Sequence, residues 1–171
     1  MKYLNEVKTR VTWLLIGLAL SLATAEVIKS FEGTLEKNLI LASFIPLVVY
    51  MSDAVGTQME AMIIRELNSN KKFNFLKFMR DQAMIVILVA FIVGGLSGAV
   101  VMLLNDSSTL GLVIGTSLTF GIFSSLLTGS IMPYIFWKLH DDPAEASGPV
   151  ATVVQDFLSV IIFFLIAQAL L

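Results

Sequence analysis

From Ala83 to Trp137 the sequence carries one charged residue, Asp106. The two uncharged runs around it, Ala83–Leu104 and Thr109–Trp137, each exceed the roughly 20 apolar residues that cross a bilayer as a helix. Such runs cannot be hidden in a globule of 171 residues of which 57% are hydrophobic. Only 14% of residues are charged, where a soluble domain carries about 25%. Lipid must cover the excess, so the chain is expected to be an all-α membrane protein.

Three further segments complete a five-helix pattern over about 11–29, 38–67, 83–104, 109–137 and 149–171. The second contains Asp53, Glu60 and Arg65, and reads as one long helix broken near Pro46. Ser30–Lys37 reads as a loop, and Asn68–Asp81 as a loop or interfacial segment. Lys and Arg are distributed unevenly about these spans. Lys2, Lys8, Arg10, Arg65, Lys71, Lys72, Lys77, Arg80 and Lys138 fall on one side, and only Lys29 and Lys37 on the other. The positive-inside rule then predicts a multi-pass protein of the cell membrane, its N-terminus cytoplasmic and its C-terminus extracytoplasmic.

Composition removes several kinds of chemistry. Without cysteine there are no disulfides or thiolate ligands, and His140 is the single histidine. Zinc and copper sites usually need imidazole or thiolate, whereas the remaining oxygen ligands suit Mg²⁺, Ca²⁺ or Mn²⁺. No H-E-x-x-H motif is present, so an enzyme is not expected. A net charge of −2 gives no reason to expect nucleic acid as a partner.

Carboxylates inside the spans carry the functional signal, because each is costly there unless it meets water, a partner or an ion. Asp156 lies well inside the fifth span, and Thr152, Asp156 and Ser159 follow at i, i+4 and i+7, one helical face of oxygens. In the second span Asp53 and Glu60 are seven apart with Thr57 between them, and Gly56 would admit a hydrated ion or another backbone. Glu60 has a second reading, as an interfacial acid paired with Arg65. Pro46 precedes Asp53 by seven residues, as Pro149 precedes Asp156. Proline frees a carbonyl one turn earlier, which suits a cation path. Glu26 reads as a rim acid, His140 as a solvated loop residue, and Gly94, Gly95, Gly98, Gly111, Gly115 and Gly121 as helix-packing positions.

Two groups of residues match a family pattern. Asp142, Pro143 and Ala144, then Ser147, Gly148, Pro149, Thr152 and Asp156, resemble the DPA…SGP…T…D signature in the last helix of MgtE-type magnesium transporters, related to the solute carrier 41 group. Pro46, the run Asp53 to Gln58, and Arg65 resemble that family's P…GNAGTQ…R motif. Arg10 to Leu15 and Phe31 to Glu36 are similar to its first helix and outer loop.

The resemblance implies a homodimeric pore lined by the second and fifth helices of both copies. It implies Mg²⁺ as the transported ion, with Mn²⁺, Ca²⁺ or Co²⁺ also compatible. Asp156 would bind the ion at the pore centre, largely hydrated, and Asp142 would lie near the cytoplasmic mouth. With Asp53, Thr57, Glu60 and Thr152 these form the candidate metal-site set. The family's Gly-Asn is here Asp53-Ala54, which gains a carboxylate and opens the alternative of a Na⁺- or H⁺-coupled divalent cation exchanger. A non-conducting membrane assembly subunit, its acids serving as interhelical glue, is the alternative of another class. The chain begins directly at the first helix, so cytoplasmic Mg²⁺ sensing is expected to need a separate regulatory subunit.

Overall fold

The computed structural model of the chain describes residues 2–69 and 73–171. The elements in order are α1 (Lys2–Ser30), α2 (Glu32–Lys37), a 3₁₀ turn (Leu39–Phe44), α3 (Ile45–Ser69), α4 (Phe75–Asn105), α5 (Ser108–Lys138) and α6 (Pro143–Leu170). Five stretches are long and apolar enough to cross a membrane: Glu6–Ser30, Leu39–Ser69, Phe75–Asn105, Ser108–Lys138 and Ala146–Leu170. A helix satisfies its own backbone in lipid, which is why an apolar chain of this kind takes this form.

Local chemistry sets the boundaries, and several differ from the hydropathy pattern. α4 begins at Phe75, well before Ala83, because the Asn74 side chain accepts the Lys77 N–H at 3.0 Å and caps its first turn. The expected loop at Asn68–Asp81 is therefore mostly helix, with residues 70–72 outside the described residues. The expected loop at Ser30–Lys37 contains the short α2. Pro46 is the second residue of α3, and the 3₁₀ turn runs directly into it through Ile45, which is itself in the right-handed helical region. Leu39–Ser69 is thus one helical stretch that changes pitch beside Pro46, the broken second helix expected from the sequence. Pro149 does lie inside α6 and denies a partner to the carbonyl one turn earlier. Asp106, at φ 48° in the left-handed region, ends α4, and the Ser107 side chain caps α5 by accepting the Leu110 N–H at 3.2 Å.

α5 is the centre of the bundle and packs against α3, α4 and α6, while α3 also packs on α6. Helices in lipid gain little from apolar burial, so close van der Waals approach must hold them together. A Cβ added at Gly98 would stand 2.7 Å from the Gly111 carbonyl oxygen, and one at Gly129 would collide with that of Gly56. Both contacts exist only because no side chain is present. Gly95, by contrast, has open space beside it and is not a packing position. Among the described side chains α1 is peripheral. It packs mainly on α6, and 11% of its most apolar stretch is buried in the chain against 61% for α5. The Phe31 ring stacks on Phe164 at 4.7 Å, and Gln168 donates to Thr34 at 3.0 Å, which fastens α2 to the far end of α6.

Candidate cation site on the seam of α3 and α6

Each of these two helices divides into an inward and an outward side. On α3, Ser52, Val55, Gly56 and Met59 are buried against the bundle, while Tyr50, Thr57, Gln58 and Arg65 are exposed. Asp53 and Glu60 lie at the border, half-buried. On α6, Ala151, Gln155, Ser159 and Val160 turn inward, with Thr152 and Asp156 at the border. The two borders meet. The Thr152 side chain reaches the Asp53 carboxylate, and Asp53 lies close enough to Asp156 and to Glu60 for their charges to interact. The sequence-predicted residues Asp53, Thr152 and Asp156 thus come together on one seam.

Glu60 lies one step further along it. The fully buried Ser147 hydroxyl contacts the Glu60 carboxylate and also the Pro143 carbonyl, joining the first turns of α6 to α3. Among the described residues Arg65 does not pair with Glu60, so the interfacial ion pair considered for this acid is not formed. Asp142 is exposed and caps α6, its carboxylate accepting the Ala144 N–H at 2.9 Å. At 1.5 Å per residue it stands about 21 Å along the helix from Asp156. Asp142, the Glu60–Ser147 contact and the Asp53–Asp156 pair are therefore three successive levels. Thr57 is exposed on the outward side of α3, between the levels of Asp53 and Glu60.

Two expectations need correction. Ser159 does not share the Thr152–Asp156 face: it is fully buried, and its hydroxyl donates to the Gln155 carbonyl at 2.9 Å. Gly56 faces inward, with Ser125 and Gln155 nearest to where a side chain would be, so it serves helix packing and lines no open passage. Glu26 pairs with Lys29 at 2.6 Å in an exposed position, as a rim acid should. His140 is exposed beyond the end of α5.

The residue missed from sequence is Gln155. Its buried amide donates to the Gly121 carbonyl at 3.1 Å and to Ser124 at 3.0 Å, and its oxygen accepts from Thr128. Those bonds fix the rotation of α6, and so fix which way its neighbour Asp156 points. The available signal was Ser124 and Thr128 at i, i+4, a hydroxyl pair able to receive one amide, though α5 carries other hydroxyls such as Thr116, Ser117 and Ser125.

The three seam carboxylates lack a cationic partner among the described residues, and no three acidic or histidine side chains close into a cage. Their oxygen donors are of the kind that hard divalent cations prefer. Fold and seam together define a polytopic α-helical membrane protein with an acid-lined flank. Residues 45–166 match the MgtE family of divalent cation transporters, and the chain belongs to that family. It is 34% identical over 163 residues to the magnesium transporter MgtE of Bacillus subtilis (strain 168), covering 94% of this chain and 36% of the relative. For the magnesium transporter MgtE of Enterococcus faecalis the identity is 33% over 171 residues, covering 96% and 37%. The Thermus thermophilus magnesium transporter MgtE is 28% identical over 169 residues, covering 95% and 36%. The chain thus spans little more than a third of the length of these relatives.

Proposed function

We propose that two copies of the chain meet about a two-fold axis and pass a divalent cation, Mg²⁺ in the first place, between their α3–α6 seams. The observation that carries this reading is the Asp53–Asp156 seam, two carboxylates at the border of an outward face inside membrane-spanning helices. Membership of a divalent cation transporter family supports the same reading. One chain offers an open half-site, and a two-fold axis would bring an identical half opposite it. Asp156 of each copy holds the hydrated ion at the centre, with Asp53, Thr152 and Thr57 beside it. Glu60 and Asp142 mark the way to the mouth at the basic end of the bundle. The Lys and Arg distribution supports placing that end in the cytoplasm.

The mechanism is electrostatic. In a narrow wet passage with low-dielectric walls, the attraction of carboxylates for a divalent ion greatly exceeds its value in bulk water. Mg²⁺ surrenders its hydration shell reluctantly, so anionic oxygens at the border of a water-filled seam suit it better than a tight dry cage. The test is Mg²⁺ flux into liposomes containing the purified full chain. Asp156→Asn should abolish uptake, and unchanged uptake would overturn the reading. The carboxylate of Asp53 next to Asp156 favours a second reading, exchange coupled to Na⁺ or H⁺. A Na⁺ or proton gradient that drives Mg²⁺ uphill would establish it, and flux indifferent to both would exclude it.

A further inference from the structure

The phenol of Tyr50 is out of place for a residue facing lipid. It is 70% exposed on the outward side of α3, and among the described residues its hydroxyl has no hydrogen-bond partner. In the helical stretch Leu39–Ser69, Tyr50 stands about 17–20 Å from the Leu39 end, counting the faster rise of the 3₁₀ turn. A tyrosine at the membrane surface anchors the end of a helix, as Tyr134 does beside Trp137 and Lys138 in the last turns of α5. Tyr50 is not at an end, and hydrocarbon offers its O–H no acceptor.

Its place relative to the acids is specific. Tyr50 and Thr57 are two turns apart and point the same way, outward. Asp53 is one turn from Tyr50 toward the basic end of the bundle, about 60° to the side. Asp53 meets Thr152 and Glu60 meets Ser147, so α3 and α6 run antiparallel. Glu60 and Asp142 therefore lie on the basic side of the Asp53–Asp156 level, and Tyr50 lies on the other. Beyond it is the end of the bundle where Phe164 and Gln168 hold α2, about 12–18 Å along α6 from Asp156.

On the path proposed above, we infer that Tyr50 lines the approach to the acids from the end away from the basic one, and that its hydroxyl bonds the water shell of the passing ion. Waters on a divalent cation turn their hydrogens outward, and a phenol oxygen accepts them. The contact needs no water to leave the ion, which suits a cation that dehydrates reluctantly. A phenol there is satisfied by the solvent of the path, as the exposed Thr57 hydroxyl is on the same face.

The chain contains no cysteine, so single cysteines can be read without background. In liposomes holding the full chain, Tyr50→Cys should react with a membrane-impermeant charged thiol reagent, and Ile92→Cys should not. Ile92 is the control because it is 59% exposed on α4, about 20 Å from the Asn105 end. Tyr50→Phe should raise the half-saturating Mg²⁺ concentration for uptake roughly tenfold, the loss of one hydrogen bond to a charged partner. The maximal rate should be unchanged, as when binding alone is lost. The variant should fold, since it deletes one exposed oxygen. Labelling of Tyr50→Cys no faster than that of Ile92→Cys would overturn the position on the path. Half-saturation equal to the parent's in Tyr50→Phe would overturn the hydroxyl's role. A lowered melting temperature with unchanged half-saturation would mean that the hydroxyl bonds the second copy, and would overturn it equally. Asp156→Asn in the same liposomes separates the two levels: uptake lost there, with Tyr50→Cys unlabelled, leaves the path standing and sinks only the role of Tyr50.

Discussion

Gln155 and Asp156 are consecutive residues, about 100° apart around the same helix, and their surroundings are opposite. Gln155 is 1% exposed and bonded to Gly121, Ser124 and Thr128 of α5. Asp156 is half-exposed on the seam, with a second acid for company and no cation among the described residues. A polar side chain at this depth is costly unless satisfied, and the two residues meet that demand differently. One is closed off inside the chain and serves architecture. The other is left open on the outward side, where on the proposed reading an ion meets it. The two polar residues thus differ by the direction they face, not by depth in the span.

That contrast makes a sharp demand: inward substitutions should cost stability, and outward ones transport. The largest expected effect is on the outward side. Asp156→Asn should lower Mg²⁺ flux at least about 100-fold, because one unit charge about 4 Å from a divalent ion is worth several kcal/mol at an effective dielectric of about 20. Its melting temperature should stay within a degree or so of the parent (roughly the scatter of a surface change). A collapse in stability would mean that Asp156 is glue after all. On the inward side, Gly129→Ala forces α3 away from α5 and should cost about 1–3 kcal/mol in reversible unfolding. Gly95→Ala, with nothing beside it, is the matched control and should be silent. Gln155→Leu breaks interhelical bonds worth about 1–2 kcal/mol in membrane proteins. Competition of Mn²⁺ and Ca²⁺ against Mg²⁺ should reveal whether the same change also loosens ion discrimination by letting α6 rotate. The smallest effect belongs to Asp53→Gly. Flux should remain within about threefold of the parent if one carboxylate per copy suffices, while preference among divalent ions shifts; flux lost as fully as in Asp156→Asn would make the pair inseparable.

Much of this arrangement is legible in the sequence, for definable reasons. The five spans follow from uncharged runs, since hydropathy measures what lipid selects. The helix starts do not, because Phe75–Gln82 carries Lys77, Arg80 and Asp81 yet is helical, and an α-helix closes its own hydrogen bonds in water as readily as in lipid. Asp53 and Asp156 stand out in the sequence because a carboxylate inside a span is costly, and the fold sets the two near one another on α3 and α6. Period alone assigned Ser159 to the wrong face. A spacing of three from Asp156 and four from Gln155 is compatible with either side, and only the neighbouring helix decides. Gln155 was unreadable for the same reason: its partners lie on a different helix, some thirty residues away in the chain.

The two-residue turn at Asp106–Ser107 has a consequence for biogenesis. α4 and α5 are joined so tightly, and fit so closely at Gly98 and Gly111, that they can leave the translocon as one hairpin. α3 enters the membrane before that hairpin and α6 after it. The hydroxyls of Ser124 and Thr128 are thus in place, as a socket, before Gln155 reaches the membrane. α6 needs only to be plugged in, and Asp156 is swung onto the seam by the act of docking.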